Sequence, residues 1–403
     1  MNRIDALLEE LCPDGVPFYQ LNEIFLTRNG YTPAKANKAF WVNGTIPWFR
    51  MEDIRDNGQI LDDSVQKIST DAVKGGKLFP ANSILVATSA TIGEHALITV
   101  PHLSNQRFTS LSLKPAFVER YDIKFVYYYC FKLDEWCRSN TTTSSFPSVE
   151  MNGFKKFQFP LPPLEIQQEI VAILDRFTKL EAELEAELEA RRRQYRHYRD
   201  TLLSFGAQTG GDARTHARTH ATRILTLGEI VNNLDSRRRP VTRADRRSGI
   251  YPYYGANGVQ DYVDAFIFEG TYLLMGEDGS VMGKDGTPVL NWASGKIWVN
   301  NHAHVLQAKS PDVSLRFLFH YLQTVDVSAY VTGGTQPKLN QKNMNRIPIE
   351  LPPVEEQERI ASILDKFDVL VNDLSSGLPA EINARRRQYS HYRDQLLTFK
   401  EAA

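Results

Sequence analysis

One duplication constrains this chain more than any other feature: it must fold into two units that each run into the same helix. Residues 161–177 (LPPLEIQQEIVAILDRF) match residues 351–367 (LPPVEEQERIASILDKF) without a gap, at an offset of 190 positions. A second block, 191–205 (RRRQYRHYRDTLLSF), matches 385–399 (RRRQYSHYRDQLLTF) at an offset of 194. Both blocks carry helical periodicity. Ile166, Ile170, Ile173, Phe177, Leu180 and Leu184 recur in steps of four and three, and Tyr195, Tyr198, Leu202 and Phe205 resume the stripe. Ile360, Ile363, Phe367, Tyr389 and Tyr392 repeat it in the second copy. The Pro-Pro pairs mark helix entry, because proline is tolerated in a first turn.

Between the blocks of the first copy, LEAELEAELEA (180–190) repeats every four residues and shifts the heptad phase. A continuous helix over 164–205 spans about 63 Å at 1.5 Å per residue. The second copy is four residues longer, and Ser375, Gly377 and Pro379 form a breaker cluster that predicts a kink or interruption.

The stretches ahead of the helices also correspond. Leu21-Asn22-Glu23-Ile24 matches Leu227-Gly228-Glu229-Ile230, and Ser145-Phe146-Pro147 matches Thr335-Gln336-Pro337. Ser83–Ala87 and Thr271–Met275 read as buried strands, with Phe125–Cys130 and Leu315–His320 as a helix or strand beside them. These signals predict two α+β modules. Their boundaries fall at 1–160 and 223–350, with helices at 161–205 and 351–400 and a linker at 206–222 that contains an Arg-Thr-His-Ala tandem.

Composition narrows the class. At 403 residues the chain exceeds one core, and 42% hydrophobic content suits ordinary globular domains. A formal charge of -1 argues against a uniformly basic coat, leaving local patches open. Cys12, Cys130 and Cys137 form neither a disulfide framework nor a CxxC pair, which fits a reducing cytoplasm. The first ten residues are interrupted by charge too often for a secretory leader, and no apolar run is long enough to span a membrane. A cytoplasmic location is expected.

The order module, LPPxExQ helix, module, same helix resembles the specificity subunit of type I restriction-modification systems, over almost the whole chain. The resemblance implies two target recognition domains separated by two long helices packed as an antiparallel coiled coil, with a pseudo-two-fold internal repeat. It implies double-stranded DNA as ligand, two methyltransferase (modification) subunits bound at the helices, and restriction/translocase subunits in the full complex. No cofactor is expected on this chain. S-adenosylmethionine, ATP and Mg belong, by the resemblance, to the partner subunits. The apolar stripe of Ile166, Ile170, Ile173, Phe177, Tyr195, Tyr198, Ile360, Ile363, Phe367, Tyr389 and Tyr392 is then a partner-helix interface.

Several segments are candidates for DNA contact. Arg237, Arg238, Arg239, Arg243, Arg246 and Arg247 crowd eleven residues that Pro240 and Gly249 keep irregular, as a phosphate-binding loop requires; the bland alternative is a solvated charged loop. Tyr251, Tyr253, Tyr254 and Asn257, and Arg50 after Trp48, combine aromatic and polar groups near turns, where structural turns are equally expected. Ser89 and Thr91 follow one strand; Ser280 and Lys284 follow the matching strand. Gln336, Lys338 and Asn340 lie in the Gly333–Asn340 turn, a form that the family carries ahead of its second helix. The first copy departs from it, with Ser148 for the lysine and Glu150 for the asparagine. The Arg191–Arg193 cluster sits beside helical tyrosines and suits a partner contact or helix end better than DNA.

Enzymatic readings find little support. Gly279–Lys284 misses the nucleotide-cradling GxxxxGK[ST] pattern at Asp278 and Asp285. His302 and His304 lack cysteines or a carboxylate at metal-ligand spacing, so no metal site is expected. The chain lacks the glycine-rich cofactor loop and the Asn/Asp-Pro-Pro-aromatic motif of an amino-methyltransferase, and its acidic residues cluster at helical surface spacing rather than as metal-holding carboxylates. The expectation is a non-catalytic reader of an asymmetric, bipartite DNA target. The rival is a coiled-coil adaptor that binds only proteins.

Overall fold

A computed structural model describes residues 3–142, 146–205, 222–373 and 375–402. The expected linker lies outside these apart from Thr222. The chain divides into two compact units: one of Met1–Glu183 with Asn383–Ala403, the other Leu184–Ile382. Each unit therefore holds one module, part of its own helix and part of the other copy's.

In the first unit, α1 (Arg3–Leu11) precedes β1 (Phe18–Gln20), α2 (Leu21–Ile24) and β2 (Phe25–Asn29). A small sheet of order β5-β3-β8 uses β3 (Ile46–Phe49), β5 (Lys67–Ile68) and β8 (Leu103–Ser104). The main sheet, β2-β9-β6-β7-β4, adds β4 (Ile60–Leu61), β6 (Ser83–Ala87), β7 (His95–Ile98) and β9 (Phe108–Leu113). α3 (Met51–Asn57) follows β3, and α4 (Pro115–Val118) leads to α5 (Ile123–Ser139). The run expected as helix or strand at Phe125–Cys130 is thus helical. After α6 (Met151–Lys156), β10 (Gln158–Pro160) pairs antiparallel with β1 and delivers the chain into α7 (Leu164–Leu202).

The second unit repeats the plan. β11 (Arg223–Thr226) precedes α8 (Leu227–Ile230) and β12 (Val231–Asn233). Its six-stranded sheet, β12-β17-β15-β16-β13-β14, contains β13 (Ser248–Gly255), β14 (Gly258–Val263), β15 (Phe268–Gly276), β16 (Leu290–Val299) and β17 (Ala303–Ala308). Then come α9 (Leu315–Leu322), α10 (Gln341–Met344) and β18 (Pro348–Leu351), which pairs with β11 as β10 does with β1. The repeated Leu-x-Glu-Ile segments are capping boxes: Glu23 accepts from the Gln20 amide at 2.6 Å and Glu229 from the Thr226 amide at 2.7 Å. The second spacer copy is interrupted, as its Gly and Pro residues require, into α11 (Val354–Asn372) and α12 (Leu378–Leu396).

The LPPxExQ glutamine explains how a module is fastened to its helix. Gln167 is fully buried, donates to the Pro162 and Arg120 carbonyls at 2.7 and 2.9 Å, and accepts from the Asp122 amide at 2.8 Å. Gln357 makes the same three bonds to Pro352 and Asp312 carbonyls and the Ser314 amide, at 2.7, 3.0 and 2.9 Å. Asp122 and Ser314 are the N-caps of α5 and α9, so one side chain ties two helix starts together. Two turns further on, Asp175 accepts from Lys124 and Tyr128, both at 2.6 Å. Asp365 accepts from Arg316 at 2.5 Å and His320 at 2.6 Å, at the corresponding positions of α9.

The apolar stripes pack within each unit. In the first, Phe177 lies against Tyr389 and Tyr392, at centroid distances of 6.1 and 5.7 Å, and Glu181 pairs with Arg386 at 2.5 Å. Numbering falls along α12 as it rises along α7, so these segments run antiparallel. In the second, Phe367 lies against Tyr195 and Tyr198 at 6.3 and 5.4 Å. The same Phe-Tyr-Tyr trio thus forms twice, each time with the phenylalanine from one repeat and the tyrosines from the other. Ile166, Ile170 and Ile360 are buried in their own units' cores, and Ile173, Ile363 and Phe367 are partly buried. Ile166, Ile170 and Ile360, expected at a partner-helix interface, instead pack in the cores of their own units and hold each module to its helix.

His320 replaces Tyr128 in the second clamp and makes it titratable. Burial lowers its pKa, against the opposing effect of the hydrogen bond it donates to Asp365. The folded value lies below the unfolded value of about 6.5. The contribution is therefore complete above that value and is lost as pH falls through it toward the folded value. His320→Gln keeps a donor for Asp365, and its melting temperature is expected to fall less than wild type's between about pH 7.5 and about pH 5.5. Parallel acid losses in the two proteins count against the assignment.

Candidate nucleic-acid interface

The two modules build the same feature from different residues: the loop after a central strand pairs with the turn ahead of the short helix. In the first, Ser89 bridges antiparallel to Ser148, and the Val149 amide donates to the Thr88 carbonyl at 2.9 Å. In the second, Asp278 bridges to Lys338, and the Leu339 amide donates to the Glu277 carbonyl at 2.8 Å. Ala90 adopts a left-handed φ of 66° where the second loop has Gly279 at 74°. A non-glycine residue held there is strain stored in a loop, commonly at functional sites. Gly333 is required by its turn: its φ is 87°, and a Cβ would meet the Gln336 carbonyl oxygen at 2.5 Å.

The departure at Glu150 is resolved by geometry. Asn340 caps α10 by accepting from the Asn343 amide at 2.9 Å; Glu150 caps α6 by accepting from Asn152 and Gly153 at 2.8 and 2.6 Å. These backbone bonds lower the Glu150 pKa. The position is a cap in both modules, so Asn340 is committed to its own helix.

The structure separates the arginine cluster. Arg238 pairs with Glu277 at 2.6 Å and Asp235 at 3.3 Å, and Arg246 pairs with Asp261 at 3.3 Å while lying 4.2 Å from the Tyr253 ring centroid. Arg237 donates to the Ile267 carbonyl and covers Phe268. Tyr253 is 1% exposed, with its hydroxyl bonded to Val241. Arg238 and Tyr253 are therefore structural, which corrects their assignment as DNA contacts. Arg239, Arg243 and Arg247 are exposed and form no ion pair among the described residues, although the charge of Arg243 helps lower the Asp261 pKa behind the Tyr262 backbone and Arg246 hydrogen bonds. Asn257 is exposed and donates to Ser280 at 2.7 Å, joining its turn to the paired loops. Lys284, Gln336 and Lys338 are exposed; Tyr251, half-buried, contacts Phe266, and Tyr254 is half-buried in the sheet. Thr91, half-buried, donates its amide to the Ser89 carbonyl.

Sequence reasoning missed a cleft of about 570 Å³ in the first unit. Lys35, Lys38 and Arg107 line it as exposed cations, with amides at Gln66 and Gln106 and the edge-to-face pair Trp41 and Trp48, whose centroids lie 5.0 Å apart. Arg50 borders it, with a buried Nε that lies 3.9 Å from the Glu52 carboxylate and has no hydrogen-bond partner among the described residues. None of Lys35, Lys38 and Arg107 forms an ion pair among the described residues. The cleft adjoins the paired loops, because the Arg107 carbonyl accepts from the Thr88 amide at 2.9 Å. Lys35 and Lys38 followed closely by Trp41 and Trp48 were the available signal.

The histidines also differ from expectation. No carboxylate stands at ligand spacing in sequence, yet the fold brings Asp278 to His302 and Asp235 to His304. Asp235, Glu277 and His304 could together hold a metal ion. The cations of Arg238 and Lys338, the latter 3.3 Å from Glu277, already neutralise them. Burial raises the Asp235 pKa, but hydrogen bonding and charge from His304 outweigh it and leave the carboxyl below its ordinary value.

This duplicated architecture has known relatives. The family model for the type I restriction modification DNA specificity domain matches residues 13–190 and again 223–384. The chain belongs to this family. It is 46% identical over 386 residues to the type I restriction enzyme EcoprrI specificity subunit of Escherichia coli, covering 92% of each chain. It is 29% identical over 308 residues to the EcoR124I/EcoR124II specificity subunit of the same species, covering 69% of this chain and 71% of that one. Among solved structures, the type I S subunit from M. genitalium superposes with a TM-score of 0.55 at 18% identity, covering 95% of both chains. A chain from a type I R-M system solved to explain complex assembly and conformational transition gives 0.60 at 16% identity, covering 96% of this chain and 98% of that one. Among the described residues, no helix is long and apolar enough to cross a membrane.

Proposed function

We propose that this specificity subunit reads an asymmetric, bipartite DNA target, one half-site per module, and directs adenine methylation or restriction carried out by partner subunits. The observation that carries the reading is the paired-loop feature, built once in each module from different side chains: Ser89, Thr91 and Ser148 in one, Asn257, Ser280, Lys284, Gln336 and Lys338 in the other. Equivalent positions with different donors and acceptors suit different base sequences. The cations of Lys35, Lys38 and Arg107, and of Arg239, Arg243 and Arg247, supply phosphate contacts. The chain itself is non-catalytic and cytoplasmic; methyltransferase subunits bind at the helices, and S-adenosylmethionine, ATP and Mg act on the partner subunits. A protein-only adaptor leaves the cleft and both loop pairs without a ligand.

Mapping modified adenines in DNA from cells that express the chain with its methyltransferase subunit reports both half-sites and their gap. Absence of any sequence-specific pattern refutes the reading. Deleting Leu180–Glu183 shortens α7 by about 6 Å, comparable with one to two base pairs at about 3.4 Å each. The expected map keeps both half-sites and changes the gap; new half-sites at the old gap defeat the spacer role.

A further inference from the structure

Beneath the paired loops, three structurally equivalent positions carry opposite chemistry in the two modules. Strand register defines the equivalence: Ala87 pairs with Phe108 in one sheet and Gly276 with Ala303 in the other, so Thr88 and Thr109 correspond to Glu277 and His304. Asn29, paired with Thr109, corresponds to Asp235. In the first module the three form a neutral network, Thr88 to Thr109 at 3.0 Å and Thr109 to Asn29 at 3.0 Å. Its hydrogen bonds stay inside the sheet.

In the second module the network reaches out to the turn. His304 is fully buried; its Nδ1 meets Asp235 at 2.5 Å and its Nε2 meets the Leu339 carbonyl at 2.7 Å. The Leu339 amide is meanwhile held by the Glu277 carbonyl at 2.8 Å, so both polar backbone groups of this fully buried residue are fixed, one from the residue that follows β15 and the other from β17. Asp235 is itself anchored, accepting from the Val305 amide at 2.9 Å and pairing with Arg238. Lys338, the exposed neighbour of Leu339, lies over Glu277.

We infer that His304 is a positioning residue for DNA recognition by the second module, a strut that sets Lys338 and Gln336 against the Gly279–Lys284 loop through the Leu339 carbonyl. The inference rests on the DNA-reading function proposed above. A threonine, the residue found at this position in the first module, spans no such distance. Sites held loosely by about 1 Å lose discrimination even when their contacting side chains are intact.

The test uses the full chain in complex with its methyltransferase subunits, and duplexes in which either half-site of the mapped target is altered one base pair at a time. For His304→Thr, discrimination at the second half-site is expected to fall about tenfold or more, with first-half-site discrimination unchanged. His304→Gln, which keeps one donor, recovers part of the loss. Equal losses at both half-sites, or none in a folded variant, overturn the inference. Should His304→Thr not fold, Lys338→Ala on the surface decides: a loss confined to the second half-site supports the strut's target, and unchanged discrimination overturns it. A wild-type complex that retains no sequence preference refutes the DNA-reading function itself, a different result from any of these.

Discussion

Gln167→Leu is expected to destabilise the first unit by about 3 kcal/mol, lowering its melting temperature by roughly 6–12 °C. Leucine keeps the volume but strands the Asp122 amide and the carbonyls of Arg120 and Pro162, all partners of a fully buried side chain. An unsatisfied buried group costs about 1–3 kcal/mol, far more than a surface substitution. Gln357→Leu should cost the second unit a similar amount, because its three bonds match in kind and length. Differential scanning calorimetry of the two variants checks both. A loss below about 1 kcal/mol in either implies that water or a neighbour replaces the amide.

Lys35→Ala, Lys38→Ala and Arg107→Ala combined are expected to weaken DNA binding about 10- to 1000-fold and reduce the slope of log affinity against log salt by about 2 to 3. Each side chain is exposed and free of ion pairs among the described residues, so each can release a condensed counterion on meeting a phosphate. Substituting Arg239, Arg243 and Arg247 should act similarly from the second module. Arg238→Ala should behave differently, costing stability because Glu277 and Asp235 lose the cation between them. Binding measured at several salt concentrations separates these cases; an unchanged slope for the Lys35, Lys38 and Arg107 variant removes the cleft from the interface.

The helical repeat was legible because it is local and periodic: spacing alone gave the stripe, the Pro-Pro entry and the break near Gly377. What each residue touches was less so. Ile166 and Ile170 sit on a face that periodicity marks as apolar, but periodicity does not say whether a module core or a partner covers it. The role of Gln167 depends on a helix start 45 residues earlier in sequence, and that of His304 on Asp235 and Leu339. The arginine cluster misled for a related reason. Charge density in sequence counts Arg238 and Arg243 alike, whereas the fold buries one between carboxylates and leaves the other in solvent. The departure at Glu150 hid a shared role, because capping a helix start is a backbone property that either residue can supply.

The partition of the chain also bears on how it is made. The second unit is drawn from one continuous stretch, Leu184–Ile382, and can close as soon as that stretch has left the ribosome. The first unit has most of its residues far earlier but takes in Asn383–Ala403, where Phe399 packs on Phe125 and the Glu401 backbone bridges to Val16. The module synthesised first is thus the one completed last, and until Phe399 arrives the face of Phe125 that it covers stays open.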